Sequence, residues 1–132
     1  MRVAFLGPAP PFRGGISMFA SHLANEMQRQ GHDVCFFNFK KQYPTLLFPA
    51  GKQEEKMETA LPNIRILTPY QPFTFSKTSS AINAFAPDIT IVSWWLPFFA
   101  PAYAKVLAKI KHGKKVILAH NIMPHEDWLG SR

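Results

Sequence analysis

Short apolar stretches alternate along this chain with longer segments whose apolar residues recur every three or four positions. The short stretches predict β-strands, and the longer segments predict amphipathic helices. The predicted strands cover residues 3–6, 33–39, 64–67, 89–93 and 116–119, and the predicted helices cover residues 16–30, 76–85 and 98–111. This alternation is typical of the α/β class, and it predicts a doubly wound, mainly parallel, Rossmann-like sheet.

The apolar positions of two helices also predict which faces meet the sheet. In the first helix the predicted core face comprises Ile16, Phe19, Ala20, Leu23 and Met27. In the last helix the predicted stripe comprises Phe98, Ala102, Val106 and Ile110, with Phe99, Tyr103 and Leu107 beside it. Residues 40–62 show no clear period, so we expect a long excursion over the surface there.

Length and composition limit the organisation of the molecule. A chain of 132 residues with 47% hydrophobic content can bury one core, so we predict a single domain over residues 1–132. The single cysteine, Cys35, excludes an internal disulfide and favours a reducing compartment. The longest apolar run, residues 94–104, is interrupted by Pro97 and Pro101 and is shorter than the roughly 20 residues of a membrane-spanning helix. We therefore expect a cytoplasmic protein.

The formal net charge of +7 is concentrated near the end of the last predicted helix. The cluster comprises Lys105, Lys109, Lys111, Lys114 and Lys115. It is either a solvated face or a surface that attracts an anionic membrane or phosphorylated ligands, which would place the protein peripherally at the inner membrane face. Nucleic acid is disfavoured as a partner, because the aromatic residues lie in core-like runs and not among the basic ones.

A glycine pair, Gly14-Gly15, joins the first predicted strand to the first helix. A strand, a glycine turn and a helix bring free backbone N–H groups to the positive end of a helix dipole, which predicts an anion site, most often for phosphate. The alternative is a turn that only allows close packing of the helix on the sheet. Arg13 beside the pair could add a charge-assisted contact.

Several common sites are excluded by their missing signatures. The loop is not G-x-G-x-x-G, and the second strand ends in Asn38, Phe39 and Lys40 without an acidic residue, which disfavours a dinucleotide. The chain has no G-x-x-x-x-G-K-[ST] P-loop and no G-x-S-x-G elbow.

Ligands of a doubly wound sheet bind outside the carboxyl ends of its strands, where the strand order reverses. Three segments follow strand ends in this sequence: the loop over residues 7–15, Ser93-Trp94-Trp95, and His120-Asn121. We expect all three to line one crevice.

Four motifs together resemble the N-terminal half of family-4 glycosyltransferases, which are retaining enzymes of the two-Rossmann-domain GT-B architecture. They are Pro10-Pro11-x-x-Gly14-Gly15-Ile16, Gly31-His32-Asp33-Val34, the run from Trp94 to Pro101, and His120-Asn121-Ile122-x-Pro124-His125-Glu126. The resemblance spans nearly the whole chain, and the order and spacing of the motifs carry it.

This resemblance implies transfer of a sugar from a nucleotide-diphosphate donor to a saccharide or lipid-linked acceptor, which this half would bind. Members of the family bind the donor chiefly through a second Rossmann domain, which carries an E-x7-E pair of glutamates. We expect the sequence ending at Arg132 to be a truncated half, completed by a domain in cis or by a partner chain. No cofactor and no metal are expected.

The resemblance also implies roles for individual residues. His120 would hydrogen-bond a hydroxyl of the donor sugar and stabilise an oxocarbenium-like transition state. Many members of the family have aspartate after this histidine, whereas this chain has Asn121, as a subgroup of the family does. Glu126 would bind or activate an acceptor hydroxyl. One of Trp94 and Trp95 would pack in the core, and the other would offer a flat face to a sugar ring or a lipid.

Structural alternatives remain beside two of these roles. His120 can be a satisfied histidine at a strand end, and Glu126 a solvated loop carboxylate. A metal site formed by His120, His125, Glu126 and Asp127 is a further alternative, but their spacing matches no standard zinc signature.

Two classes of function remain open from the sequence. The first is the acceptor-binding half of a retaining glycosyltransferase of the hexosyltransferase type. The alternative is a stand-alone Rossmann-like module that binds a phosphorylated or nucleotide ligand, or a non-catalytic subunit of a split glycosyltransferase. The presence of a donor-binding domain, in cis or in trans, distinguishes them.

Overall fold

The computed structural model describes residues 1–9, 15–40, 61–94 and 97–119. These residues form strands β1 (Arg2–Leu6), β2 (Asp33–Phe39), β3 (Asn63–Leu67), β4 (Ile89–Trp94) and β5 (Lys114–Ala119), and helices α1 (Gly15–Arg29), α2 (Phe73–Phe85) and α3 (Ala100–Ala108), the last preceded by a short 3₁₀ turn (Pro97–Phe99). Every strand and helix predicted from the sequence is present. The predicted surface excursion over residues 40–62 falls almost entirely outside the described residues.

The five strands form one sheet in the order β3-β2-β1-β4-β5, and every neighbouring pair is parallel. The first strand therefore lies in the middle, and the strand order reverses between β1 and β4. This is the doubly wound, Rossmann-like arrangement that the alternation of elements predicted.

Side chains alternate along the strands between two buried layers, one on each face of the sheet. Phe5 and Phe36 pack on the α1 face with their ring centroids 5.7 Å apart. Leu6 and Phe37 point to the opposite face, where Ile82 of α2 and the buried side of α3 cover them. One helix on one face and two on the other bury β1, β2 and β4, which explains their nearly continuous apolar sequences.

Cys35 lies in the centre of β2 and is buried. Burial, with a smaller contribution from the charge of Asp33, raises the pKa of the Cys35 thiol to about 11. The thiol is therefore protonated at neutral pH and behaves as a small core residue.

The buried face of α1 differs from the predicted one. Ser17, Ala20 and Ala24 are buried, whereas Phe19, predicted to lie in the core, is 49% exposed. Leu23 and Met27 are partly buried against the sheet, as expected. The buried face of α1 consists of small residues because the bulky rings of the sheet already fill the space between helix and sheet. Helical periodicity alone does not show whether the helix or the sheet carries the large side chains.

The segment 98–111 is likewise not one helix. Pro101 suits the first turn of a helix, and α3 begins at Ala100 after the 3₁₀ turn and ends at Ala108. The buried stripe consequently begins at Phe99, which is fully buried, while Phe98, placed on that stripe by the sequence, is 41% exposed. Phe99 packs against Phe39 of β2 at 5.2 Å between ring centroids.

Two further boundaries differ by a few residues. Helix α2 begins at Phe73, three residues before the predicted start, and its first turn has no side-chain cap that a sequence pattern could reveal. Strand β5 begins at Lys114, two residues early, and lies at the edge of the sheet, with Val116 and Ile117 exposed.

Candidate functional site

The carboxyl ends of β1 and β4 approach each other closely at the point where the strand order reverses. Gly7 directly follows β1, and a Cβ atom built on it would lie 2.9 Å from the Cβ of Ser93. The φ angle of Gly7 is +149°, a conformation that side-chain-bearing residues rarely adopt. Its N–H donates to the carbonyl of Phe37 at 3.2 Å. Glycine is therefore required here, both by the backbone angle and by the contact with β4.

Replacing Gly7 with alanine is expected to lower the free energy of unfolding by about 2–3 kcal/mol, because the new methyl group overlaps Ser93 and the backbone is strained. Urea unfolding of the variant measures the loss. Adding Ser93→Gly should recover more of the loss than adding Ser93→Ala, because the Cβ of Ser93 is the closest atom, at 2.9 Å, and its Oγ lies at 3.3 Å. A Gly7→Ala variant as stable as the wild type would contradict this account of the turn.

Asn38 fixes the chain that leaves β1. It is fully buried near the end of β2, and its side-chain amide binds both backbone groups of Ala9: Nδ2 donates to the carbonyl at 2.9 Å, and Oδ1 accepts from the N–H at 3.1 Å. In the sequence, Asn38 is notable only as a residue that is not acidic at the end of the second strand. The signal that could have found it is a lone amide in an otherwise apolar strand, because a buried amide needs partners.

Among the described residues, nothing fills the space beside the first residue of α1. Gly15 is the first residue of the helix and is exposed. A Cβ atom built on it meets nothing within 4 Å in the described part of the chain, and its φ is not positive. Close packing therefore does not require glycine at this position. The first-turn N–H groups have no partner within the helix, so they can bind an anion.

Trp94 ends β4 at the same edge of the sheet. Its side chain is partly buried and packs against the core layer that contains α2 and α3, so core packing accounts for much of this residue. In the register of β4 and β5 it pairs with Ala119, the last residue of β5. The next residue in the sequence is His120.

The remaining predicted site residues lie outside the described residues. They are Arg13, Gly14, Trp95, His120, Asn121 and Glu126, together with His125 and Asp127 of the metal alternative. Across residues 1–9, 15–40, 61–94 and 97–119, no group of three or more histidine, cysteine, aspartate or glutamate side chains is placed to hold a metal ion.

A solved structure shares this fold. It is the apo form of a lipopolysaccharide outer core galactosyltransferase, WaaB, and it superposes with a TM-score of 0.55 over 91% of this chain at 17% sequence identity. The fold is that of a Rossmann-like half of a GT-B glycosyltransferase. The chain spans 33% of the length of the WaaB chain. No family model and no curated protein sequence matches this chain.

The basic cluster does not lie at the carboxyl ends of the strands, where the sequence predicts a crevice. Lys105 lies in the last turn of α3 and Lys109 directly follows the helix, towards the amino ends of the strands, where Lys114 begins β5. Between α2 and α3 lies an open groove of about 620 Å³, lined by Ser76, Ser79, Ser80, Asn83, Ala108, Lys109, Ile110 and Lys111. The sequence from residue 61 to residue 119 contains a single acidic residue, Asp88. The face formed by α2, α3 and the start of β5, called here the basic face, therefore has few compensating carboxylates of its own within the described residues 61–94 and 97–119.

Proposed function

We propose that this chain is the acceptor-binding half of a retaining glycosyltransferase that takes a sugar from a nucleotide-diphosphate donor. The observation that carries the proposal is the open N-terminus of α1 beside the reversal of strand order, in a fold shared with a galactosyltransferase. Ligands of doubly wound sheets bind at this point, and a helix N-terminus there suits a diphosphate. The galactosyltransferase likeness supports sugar transfer as the chemistry.

The proposal assigns a task to each predicted site residue. Backbone N–H groups at Gly14 and Gly15, with the guanidinium of Arg13, bind the phosphates. His120 binds a hydroxyl of the donor sugar, while Asn121 and Glu126 bind the substrates nearby. The aromatic faces of Trp94 and Trp95 contact the acceptor. No metal or organic cofactor takes part in this scheme, because charge on the departing diphosphate is balanced by the helix N-terminus and by arginine.

The proposal is tested by incubating the full-length protein with uridine, guanosine and adenosine diphosphate sugars and following release of the nucleotide diphosphate. Slow hydrolysis of one donor, faster with a saccharide or lipid-linked acceptor, is the expected result. Proton NMR of the product reports the anomeric configuration. Inversion would contradict the retaining part of the proposal alone, whereas no turnover of any donor would contradict sugar transfer.

The second candidate is a binding module, or a non-catalytic subunit of a split glycosyltransferase. The exposed edge strand β5, with Val116 and Ile117 uncovered, favours further protein at that edge. Reading the coding frame beyond Arg132 and measuring the intact mass of the native protein distinguish the candidates. A second Rossmann pattern with an E-x7-E pair supports the enzyme half, and a donor-binding domain found on a separate copurifying chain supports the split enzyme.

We also propose that the basic face contacts an anionic membrane surface, which would place the protein peripherally at the inner membrane face. Lys105, Lys109 and Lys111 lie on the α2–α3 side, where the described residues 61–94 and 97–119 include one acidic residue, Asp88, and the ring of Phe73 at the start of α2 is 62% exposed. Lysines at an anionic bilayer contribute about 1 kcal/mol each, and an exposed aromatic ring adds apolar contact. No helix among the described residues has the length and apolarity needed to cross a bilayer.

Binding to vesicles that contain phosphatidylserine should fall steeply with added salt, because screening weakens the attraction. Replacing Lys105, Lys109 and Lys111 together with glutamine should reduce binding by roughly two orders of magnitude. The matched control replaces Arg29 and Lys40, which lie outside the basic face, and should change binding little. Cosedimentation at increasing salt measures both variants, and binding that does not depend on salt would contradict the proposal.

A further inference from the structure

The groove between α2 and α3 is lined by hydrogen-bond donors and by cations. Its polar lining residues carry hydroxyl, amide and ammonium groups, and they are Ser76, Ser79, Ser80, Asn83, Lys109 and Lys111. The described residues that line it include no carboxylate. Its volume of about 620 Å³ lies within the range of sites for small ligands. The lining therefore suits a compact anionic group.

Hydrogen bonds between the two helices hold the walls of this groove in place. Ser79, which is buried, donates from Oγ to the carbonyl of Val106 at 2.8 Å. Asn83 binds the chain that follows α3 through both ends of its amide: Nδ2 donates to the carbonyl of Lys109 at 2.9 Å, and Oδ1 accepts from the N–H of Lys111 at 3.0 Å. The backbone that carries both lysines is thus fixed relative to α2.

The ammonium group of Lys109 is held against the wall of the groove. Its Nζ donates to Oγ of Ser76 at 2.8 Å. Within the described residues, two of the three N–H groups of this ammonium therefore remain for a ligand. Because Ser76 accepts this bond, its own hydroxyl proton can be donated to the same ligand. The pair can therefore bind two oxygen atoms of one anion.

The C-terminus of α3 also borders the groove, and the negative end of a helix dipole opposes an anion. The last carbonyls, however, already accept hydrogen bonds. The carbonyl of Val106 accepts from Ser79 and from the N–H of Lys109, and the carbonyl of Leu107 accepts from the N–H of Ile110 at 3.2 Å. Bonds of this kind satisfy the carbonyls that a helix leaves unpaired. The lysines that follow the helix therefore determine the sign of the charge in the groove.

A second hollow adjoins the groove and is more apolar. It has a volume of about 300 Å³ and shares Ser76 and Lys109 with the groove. Its other lining residues are Pro72, Phe75, Pro101 and Lys105. Phe73, next to Pro72 in the sequence, is exposed. Apolar surface thus lies directly beside the cationic groove, which is the arrangement that an amphipathic ligand requires.

We infer that the groove binds the phosphomonoester headgroup of a membrane lipid. The inference deepens the proposed contact of the basic face with an anionic membrane and rests on it. A phosphomonoester carries about two negative charges and three acceptor oxygens, which match the donors of Lys109, Lys111 and Ser76. The glycerol and the acyl chains of the lipid lie against the second hollow and Phe73. A phosphodiester headgroup carries less charge on its phosphate, so it is attracted to the basic face as a whole and not to this groove.

The experiment measures whether the full-length protein prefers a phosphomonoester lipid. Phosphatidylcholine vesicles containing either phosphatidic acid or phosphatidylserine are matched in zeta potential, and binding is measured by cosedimentation. The wild type should bind the phosphatidic acid vesicles about tenfold more tightly, because charge-assisted hydrogen bonds add to the general attraction. Glycerol 3-phosphate at constant ionic strength should compete with phosphatidic acid vesicles and change binding to phosphatidylserine vesicles little.

Two pairs of lysines on the basic face provide a matched control. Lys109→Gln with Lys111→Gln removes two charges from the groove, whereas Lys114→Gln with Lys115→Gln removes two charges from the start of β5. Both pairs should weaken binding to phosphatidylserine vesicles alike, but only the first should abolish the preference for phosphatidic acid. Ser76→Ala changes no charge and should reduce that preference by roughly threefold to tenfold, with phosphatidylserine binding unchanged.

The remaining outcomes separate this inference from the membrane contact on which it rests. Equal binding of the wild type to both vesicles overturns the inference and leaves the membrane contact standing. Absence of binding to either vesicle overturns the membrane contact, and the inference with it. A preference that survives in Lys109→Gln with Lys111→Gln overturns the inference, because the phosphate is then bound elsewhere. Binding of glycerol 3-phosphate without any preference between the vesicles also overturns it, since the ligand is then a soluble phosphate ester. If circular dichroism shows that the lysine variant does not fold, Ser76→Ala decides the question by the same preference.

Discussion

Replacing Gly15 with valine is expected to abolish sugar transfer while the fold stays intact. The side chain would enter space that is empty in the described part of the chain, and the backbone angle is acceptable for any residue. The free energy of unfolding should therefore change by less than about 1 kcal/mol. The same branched side chain covers the first-turn N–H groups and keeps a diphosphate away from them. Losing one such donor costs about 10² to 10³ in rate, so blocking several of them together should lower transfer below detection.

The comparison that isolates this effect is Met18→Val. Met18 lies in the same helix and is exposed, so the substitution introduces the same β-branched residue away from the N-terminus. Both variants should unfold at nearly the wild-type urea concentration, and only Gly15→Val should lose nucleotide release. Normal turnover in Gly15→Val would contradict the proposal that the N–H groups at this helix end bind the phosphates.

Replacing His120 with alanine is expected to lower the transfer rate by about 10² to 10³ with little loss of stability. His120 follows β5 directly, and the end of β5 pairs with the end of β4, so the sequence attaches it to the edge of the sheet where the crevice lies. A histidine that binds the donor sugar there stabilises the transition state more than the bound substrate. The expected change is therefore in kcat rather than in KM.

His120→Asn serves as the companion variant, because it retains a hydrogen-bond donor at that position and should retain more activity than alanine. Thermal unfolding of both variants separates the two roles of this residue. If His120→Ala unfolds the domain and the remaining activity follows the folded fraction, His120 is a structural residue at a strand end.

The sheet could be predicted from the sequence because its signals are local. Strand β2 has the boundaries that its apolar run indicates, and the alternation of elements determines the parallel, doubly wound class. The errors arose where the answer depends on a partner elsewhere in the chain. Phe19 and Ala24 both fit a helical stripe, and only the bulky rings of the sheet decide that the smaller residue is buried.

The same reasoning applies to Phe98 and Phe99. A 3₁₀ turn before Pro101 turns the ring of Phe99 inward and leaves that of Phe98 exposed. The helical spacing of apolar residues does not reveal such a turn. At the crevice, the close contact of Gly7 with Ser93 and the bonds of Asn38 to Ala9 join residues far apart in sequence. These contacts belong to the tertiary structure, so the sequence could indicate the edge of the sheet where the site is proposed but not how the turn at that edge is held.

The central position of β1 has a consequence for the time course of synthesis. The ribosome makes this strand first, yet its second neighbour, β4, begins only at Ile89. Until then one edge of β1 has no native partner, and the hydrogen bond from the N–H of Arg2 to the carboxylate of Asp88 cannot form. Slow pairing of distant parallel strands is a general property of such sheets. Strand β1 therefore depends on protection of its open edge until Ile89 and the residues after it have emerged.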